Sequence, residues 1–489
     1  MRAAAKKRGQ RSVPAVLSAR LLDYVKLDVR ATGEIAISFD DFAFAIGRFS
    51  TDAAERVKEL PTGVPVASFA AGKKSVDKEL NQVVRRLATR GLVEYPLTRG
   101  RNGEQIVVIE PQAADYWPQM PPLRETDALV LSRFAYMRRR ASDMVLESPR
   151  ARALFNICDR TLASGLASLS TPQQVKKLRR EAGFPPELLA LLVDCQILFK
   201  PGARDDAGLR PTEGDQHLVL WDFHDLLFHT RSTEGRHGNP AGGVYAFADS
   251  ITPQPAVRPT WPGKKIDLRP FSATQSETPP LAAKLLHDRH STREFDEQRP
   301  ITLPELAQFL DQAARVHSTF DTTQDHSDGD GPPSTYAIRP YPSGGASYEL
   351  ELYLAVDKCE GLPRGFYHYD AGEHVLVLID VPAQEFEALL KGAEFAMGAP
   401  GLPQILVVMA ARFGRVSWKY SSIAYSLILK DVGVLMQTLY LMATGMGLGG
   451  CAIGSINIDL FARMTGLEFH VEGPVGQFAL GRGKAEAAG

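Results

Sequence analysis

Residues 423–446 constrain the fold of this chain more than any other stretch. Leu427, Leu429, Val432, Leu435, Leu439 and Met442 put apolar side chains on more than one face of a helix. Such a helix must be covered on several sides, by a core or by a second subunit. Neither this stretch nor any other offers the roughly 18 uninterrupted apolar residues of a membrane span, so no membrane partner is expected. With 489 residues, the chain is too long for one compact core, and two or three domains are expected. The formal net charge of −1 gives no global pull toward nucleic acid. Cys158, Cys195, Cys359 and Cys451 form no CxxC pair and no zinc-spaced cluster, so no metal site and a reducing, cytoplasmic setting are expected.

The front half divides by pattern. Residues 1–13 are basic with no apolar signal core after them, and read as a disordered tail. Residues 14–120 read as helices followed by a β-ribbon. Leu80, Val83, Val84 and Leu87 share one helix face, Gly91 supplies a C-cap, and two apolar runs follow around a Gly-rich turn. This is the order of a winged helix. Residues 121–205 read as mostly helical, ending in Leu188 to Val193 and a short strand before Lys200, a second, degenerate unit of the same kind. Winged helices bind DNA or, by strand addition, peptides. Arg85, Arg86 and Arg90, and then Arg138, Arg139 and Arg140, are the basic candidates, but a charged face is usually just solvated and DNA is not the expected partner. Residues 206–278 read as a connector with a short ordered piece at 221–229, and residues 279–489 as an α+β domain.

Chemistry concentrates in that last domain. Arg289, His290, Ser291 and Arg293 follow a predicted helix, and arginine forks with a hydroxyl suit a phosphate or an electron-rich ring edge. Pro342, Ser343, Gly344 and Gly345 mark a tight turn whose backbone N–H groups can approach a ligand. Lys419 and Tyr420 stand just before the apolar helix. Residues 445–455 hold a glycine-rich run ending in Gly454 and Ser455 that lets the chain pass close to something flat, without the dinucleotide fingerprint. A final strand ends in Arg482 and Lys484.

In this order, these motifs resemble the nitroreductase-like FMN family, and within it the SagB-type branch of azoline (thiazole/oxazole) oxidases. The resemblance covers residues 221–484 and rests on residues 289–295, 339–346, 365–369, 419–420 and 447–454. Residues 221–232 also resemble this branch rather than general nitroreductases. The resemblance implies an FMN site in which Arg289 and His290 lie toward the phosphate side, Ser291 contacts the cofactor and Arg293 meets the pyrimidine edge. Pro342, Ser343 and Gly344 would line the flavin, Gly454 and Ser455 would offer backbone groups, and Arg482 with Lys484 would meet the phosphate. Lys419 and Tyr420 match the branch's catalytic pair. Family members are homodimers with FMN at the subunit interface. Two departures stand out: Ser426 replaces an arginine that many members carry after the tyrosine matched by Tyr425, and the chain is short after Arg482.

The function implied is oxidation of thiazoline or oxazoline rings, in a precursor peptide made by the ribosome, to azoles. Dioxygen would reoxidise the flavin, and a cyclodehydratase complex would supply the rings. A lysine can take the ring proton only where burial or a nearby cation favours its neutral form; Lys419 is the candidate base, and Tyr420 would position the ring or relay the proton. The front units would hold the peptide's leader. Two alternatives stay open: an NAD(P)H-dependent nitro- or quinone reductase, and a winged-helix regulator that keeps a flavin fold as a sensor.

Overall fold

The computed structural model describes residues 14–39, 42–100, 103–201, 213–238, 250, 281–322, 334–420 and 423–484. The chain splits into two compact units, Met1–Gly238 and Asn239–Gly489. The expected tail at 1–13, and most of the expected connector, lie outside the described residues.

The first unit is built on a seven-stranded sheet. Its strands run in the order Val64–Pro65, Ala15–Leu21, Val93–Arg99, Gln105–Pro111, Ala153–Ile157, Asp143–Glu147 and Tyr136–Arg140. Pairing of Gln105–Pro111 with Ala153–Ile157 carries the sheet across residue 120, where sequence pattern suggested a division. The helix Ser75–Ala88 buries Leu80, Val83, Val84 and Leu87, as their spacing requires. Gly91 then takes φ +70, and the two expected strands follow. The helix Pro186–Asp194 and the short strand Leu198–Phe199 also lie where expected.

Two expectations are corrected. Residues 15–48 are strands, not helices: Leu17, Ala19 and Leu21, then Ile35 and Ile37, are buried at every second position. Residues 128–157 are also four short strands rather than mostly helix. Strands of four or five residues complete barely two periods of alternation, and that is too little to stand out in sequence. A third difference concerns residues 221–232. The helix Phe223–Arg231 is part of the first unit, where Arg231 reaches Glu147 at 3.2 Å and Arg133 donates to the carbonyls of Leu218 and Trp221 at 2.7 Å each. Five of the six basic candidates, all but Arg139, are engaged within the first unit. Arg85 lies 4.1 Å from the centre of the Trp117 ring, Arg86 donates to the Ile46 carbonyl at 2.7 Å, and Arg140 grips Glu110.

The second unit is mixed α+β. Its six-stranded antiparallel sheet runs Val375–Ile379, Gly365–Asp370, Leu350–Val356, Ile405–Arg412, Glu472–Gly481 and Gly449–Ile453. On one face, Tyr353, Ala355, Leu406 and Val408 meet Phe386, Leu390, Phe461 and Met464 from the helices Ala383–Met397 and Ile458–Thr465. The long helix Ala424–Gly445 packs on the last two strands and on the helices Leu281–Asp288, Leu303–Ala314 and Phe413–Ser417. By length and composition alone it could cross a membrane. Its inward face of Ile428, Val432, Leu435, Leu439 and Ala443, with a buried Asp431 among them, makes it a core helix of this unit. Leu427, Leu429, Val434, Met436 and Leu441 remain only half-buried, so the covering that the sequence calls for is incomplete in one chain.

Leu435 is fully buried, and Leu435→Ala should therefore cost about 2–5 kcal/mol. Ser426→Ala, at an exposed position of the same helix, should stay within about 0.5 kcal/mol. Urea midpoints for the transition of the second unit would compare the two.

Candidate active site

Two clusters of the expected residues form on the long helix. The first begins where the helix Leu281–Asp288 ends. The Thr292 N–H donates to the Gly450 carbonyl at 2.8 Å, which pins residues 289–293 onto the strand Gly449–Ile453. Ser291 Oγ lies 2.8 Å from the Tyr440 hydroxyl, and that hydroxyl also accepts the Ala452 N–H at 2.8 Å. The Arg289 guanidinium sits over the Tyr440 ring, 5.1 Å from its centre. Tyr440 in turn stands edge-on to Phe478, with centroids 4.9 Å apart.

Packing explains part of the glycine run. A Cβ on Gly450 would fall 2.3 Å from the Phe478 ring, and one on Gly449 would fall 2.5 Å from Thr292 Cγ2. These glycines let the strand lie directly under residues 289–293. Gly454 differs, because a Cβ there meets nothing within 4 Å. Ser455 follows it, half-buried.

Arg293 is exposed and makes no hydrogen bond or ion pair with a described residue. It shares the wall of a cleft of about 680 Å³ with Lys484, Glu294 and Gln404. His290 is exposed, its Nδ1 3.1 Å from the Asp288 carbonyl. Arg482 is not free as expected: its guanidinium holds both oxygens of Glu305, at 2.7 and 2.8 Å. Glu305 also closes the capping box with Thr302 at the start of the helix Leu303–Ala314. Burial works against charge on Glu305, but Arg482 and Thr302 together hold its carboxyl below the usual range. The Arg482 fork is therefore committed inside the chain, and Lys484, 3.9 Å from Glu294, is the looser terminal cation.

The second cluster is the turn before the strand Leu350–Val356. Gly344 donates its N–H to Asp431, at 3.1 Å to Oδ1 and 2.9 Å to Oδ2. Ser343 Oγ lies 2.9 Å from Asp431 Oδ2 and 3.3 Å from Glu349 Oε2, and it accepts the Tyr348 N–H at 3.0 Å. Pro342 stands exposed at the entry. Gly345 takes φ +60, and a Cβ on it would fall 2.3 Å from the Tyr420 hydroxyl, so this position must be glycine for Tyr420 to lie where it does. The Lys419 Nζ donates to the Tyr336 hydroxyl at 3.4 Å. It lies 5.4 Å from the centre of the Tyr336 ring and 5.6 Å from that of Tyr420. Tyr420 thus meets the turn at Gly345, and Lys419 lies against Tyr336 and Tyr420.

Four residues of these clusters escaped the sequence reading: Tyr336, Glu349, Asp431 and Tyr440. Only Asp431 left a trace, as a carboxylate inside an apolar run. The motif at 365–369 joins neither cluster. Its His368 pairs with Glu351 at 3.4 Å beside a cavity of about 480 Å³, and that hydrogen bond raises the imidazole's pKa.

Asp431 and Tyr440 anchor the two clusters to one helix, nine residues apart. At about 1.5 Å and about 100° per residue, they are separated by about 14 Å along the axis and half a turn around it. The clusters therefore lie on opposite faces of the long helix.

Residues 286–482 match the nitroreductase family model, and residues 129–238 match the model for cyanobactin oxidase ThcOx. The protein named "Putative nitroreductase MJ1384" from Methanocaldococcus jannaschii is 32% identical over 174 residues, 35% of this chain and 77% of that protein. The trifolitoxin-processing protein TfxB of Rhizobium leguminosarum bv. trifolii is 25% identical over 144 residues, 29% of this chain and 39% of TfxB. Among solved structures, a chain of the E. coli microcin synthetase McbBCD complex with truncated pro-MccB17 aligns at 19% identity and TM-score 0.39, covering 56% of this chain and 97% of that one. With a 32% identical relative matched over most of its length, the chain belongs to the nitroreductase family, and a segment ahead of its nitroreductase domain matches the cyanobactin-oxidase model.

Proposed function

We propose that this chain is an FMN-dependent dehydrogenase that oxidises azoline rings in a ribosomally made precursor peptide to azoles. The observation that carries the reading is the Lys419 ammonium held beside Tyr336 and Tyr420, against a glycine turn, in a nitroreductase-family domain. The cyanobactin-oxidase segment at 129–238 supports the substrate class.

The residues present fit FMN. Arg289, Arg293 and Lys484 supply cations for a phosphate and for the electron-rich edge of the ring. Open space beside Gly454 leaves room for a flat group near backbone. Ser343 and Gly344 would line its other side. When bound, FMN supplies the hydride acceptor, with dioxygen as the final oxidant. Because the two clusters sit on opposite faces of one helix, a single chain does not close both around one ring system. A two-fold homodimer brings the first cluster of one chain to the second cluster of its partner. It would also cover the half-buried Leu427, Leu429 and Val434.

Within that site, Lys419 removes the proton from the azoline ring carbon, which requires its neutral amine at the start. As Nζ becomes charged, the faces of Tyr336 and Tyr420 favour the ammonium. The Tyr420 hydroxyl, seated over Gly345, orients the substrate ring. Arg293 stabilises negative charge at the pyrimidine edge. The first unit, with its helix, cap and two-strand runs read as winged-helix-like modules, holds the peptide leader and raises the local concentration of the core. A cyclodehydratase supplies the azoline, and the enzyme works in the cytoplasm. The 32% identical relative favours a second reading, NAD(P)H-dependent nitro- or quinone reduction.

Three measurements follow. The purified protein should be yellow, and the chromophore released on denaturation should be FMN; a protein that cannot be reconstituted with flavin sinks both readings. Lys419→Ala should keep its FMN and lose at least about 100-fold in azoline turnover, measured by the two-dalton mass loss per ring, while fast NAD(P)H oxidation by the wild type would favour the second reading. Sedimentation should give a dimer, and Val434→Glu on the half-buried face should release monomers with less bound FMN.

A further inference from the structure

Ser343 sits between two carboxyl groups and has one proton to give. Its Oγ is 2.9 Å from Asp431 and 3.3 Å from Glu349, and it already accepts the Tyr348 N–H. A hydroxyl donates once and accepts twice. If it donates to Asp431, the nearer group, the contact with Glu349 is a hydrogen bond only when Glu349 carries the proton and donates it. Glu349 is fully buried, Asp431 is 6% exposed, and Glu349 Oε1 has no hydrogen-bond partner. An ionised carboxylate with a bare buried oxygen beside a second carboxylate is costly, whereas a neutral carboxyl is far less so.

The surroundings offer Glu349 no direct cation. The titratable and charged groups near it are Asp431 on the long helix, Arg415 on the helix Phe413–Ser417, Arg339, Tyr341 and Tyr348 around the turn, and Glu351 on the strand. Arg415 donates to the carbonyls of Ser347 and Thr335, and Arg339 to that of Leu350. Among the described residues no salt bridge reaches Glu349 or Asp431.

We propose that Glu349 is protonated in the working protein, and that a directed chain from Glu349 O–H to Ser343 O–H to the Asp431 carboxylate positions the Ser343–Gly344 turn and, through Gly345, the hydroxyl of Tyr420. Glu349 and Asp431 are positioning residues. Asp431, the acceptor at the end of the chain, also accepts the Gly344 N–H and so ties the turn to the long helix. Burial, followed by the negative Asp431, pushes the Glu349 carboxyl up to about 7. The sign follows from that direction. The folded value lies above the unfolded one, so the turn is fully held at acid pH and loosens as pH rises through about 7 and Glu349 loses its proton. That the turn faces a flavin rests on the function proposed above; that its order depends on this proton does not.

Hydrogen–deuterium exchange of residues 340–348 in the full-length protein at pH 6 and pH 8.5, expressed as protection factors, tests the chain directly. Wild type should lose about tenfold in protection at the higher pH, the equivalent of one pKa unit. Glu349→Gln, a permanent donor, should keep its protection at both. Asp431→Asn should be poorly protected at both, while the strand Ile405–Arg412 stays unchanged in all three. Equal protection of the wild-type turn at the two pH values, or a Glu349→Gln turn that loosens as the wild type does, would overturn the proposal. Flavin dissociation constants measured in parallel should weaken with pH in the wild type and stay level in Glu349→Gln. A protein that binds no flavin at either pH sinks the flavin reading and leaves the exchange data to decide this one.

Discussion

The second unit depends on a single helix that must be apolar enough to serve as a core and polar enough to hold two sites. Ala424–Gly445 meets both demands by confining its polar anchors to Asp431 and Tyr440. Each anchor is satisfied by backbone N–H groups as well as side chains, from Gly344 in one case and Ala452 in the other. A buried polar group without such partners costs about 1–3 kcal/mol. The same bonds that make Asp431 and Tyr440 tolerable in an apolar helix also fix the turn and the strand beside them. Core packing and site geometry are therefore one constraint.

The glycines show the same economy. Gly449 and Gly450 give up side chains so that Thr292 and Phe478 can fill the space, and Gly345 gives up its side chain for Tyr420. Gly447, at φ +67, and Gly454 leave their space open. A glycine-rich run thus has several causes within a few residues, and sequence cannot separate them. Flatness toward a ligand, close strand packing and a positive φ all look alike until their neighbours are known.

What sequence revealed follows from range. The helix at 75–88 was legible because four apolar residues at helical spacing identify a buried face locally. Arg289, Ser291, Ser343, Gly344, Lys419 and Tyr420 were legible because they stand in compact motifs. The strands at 128–157 were not, because each has only four or five residues, and Ala15–Leu21 finds its partner Val93–Arg99 far along the chain. Arg482 was misread for the same reason: Glu305, which takes its fork, lies 177 residues earlier. Glu349 looked like one residue of a strand entry, and Tyr440 like one more ring in an apolar helix.

These long-range pairs also divide the labour of the site. Arg482 with Glu305 joins the last strand to the start of the helix Leu303–Ala314, so its charge stabilises the frame rather than a ligand. Arg293 and Lys484 are left as the cations that can meet an anion without first breaking an internal pair of comparable geometry. The Lys419 side depends on neutral and ring contacts, supported from beneath by a turn that one proton holds in place. Cations are thus gathered on the face where a phosphate would sit, while around the Lys419 ammonium position the close neighbours are the Tyr336 and Tyr420 rings. There, an extra fixed cation beside Lys419 would favour its neutral amine but oppose the charge it gains on taking up the proton. Aromatic faces act with the opposite sign: they favour the ammonium that Lys419 forms on taking up the proton, and so oppose its neutral amine beforehand.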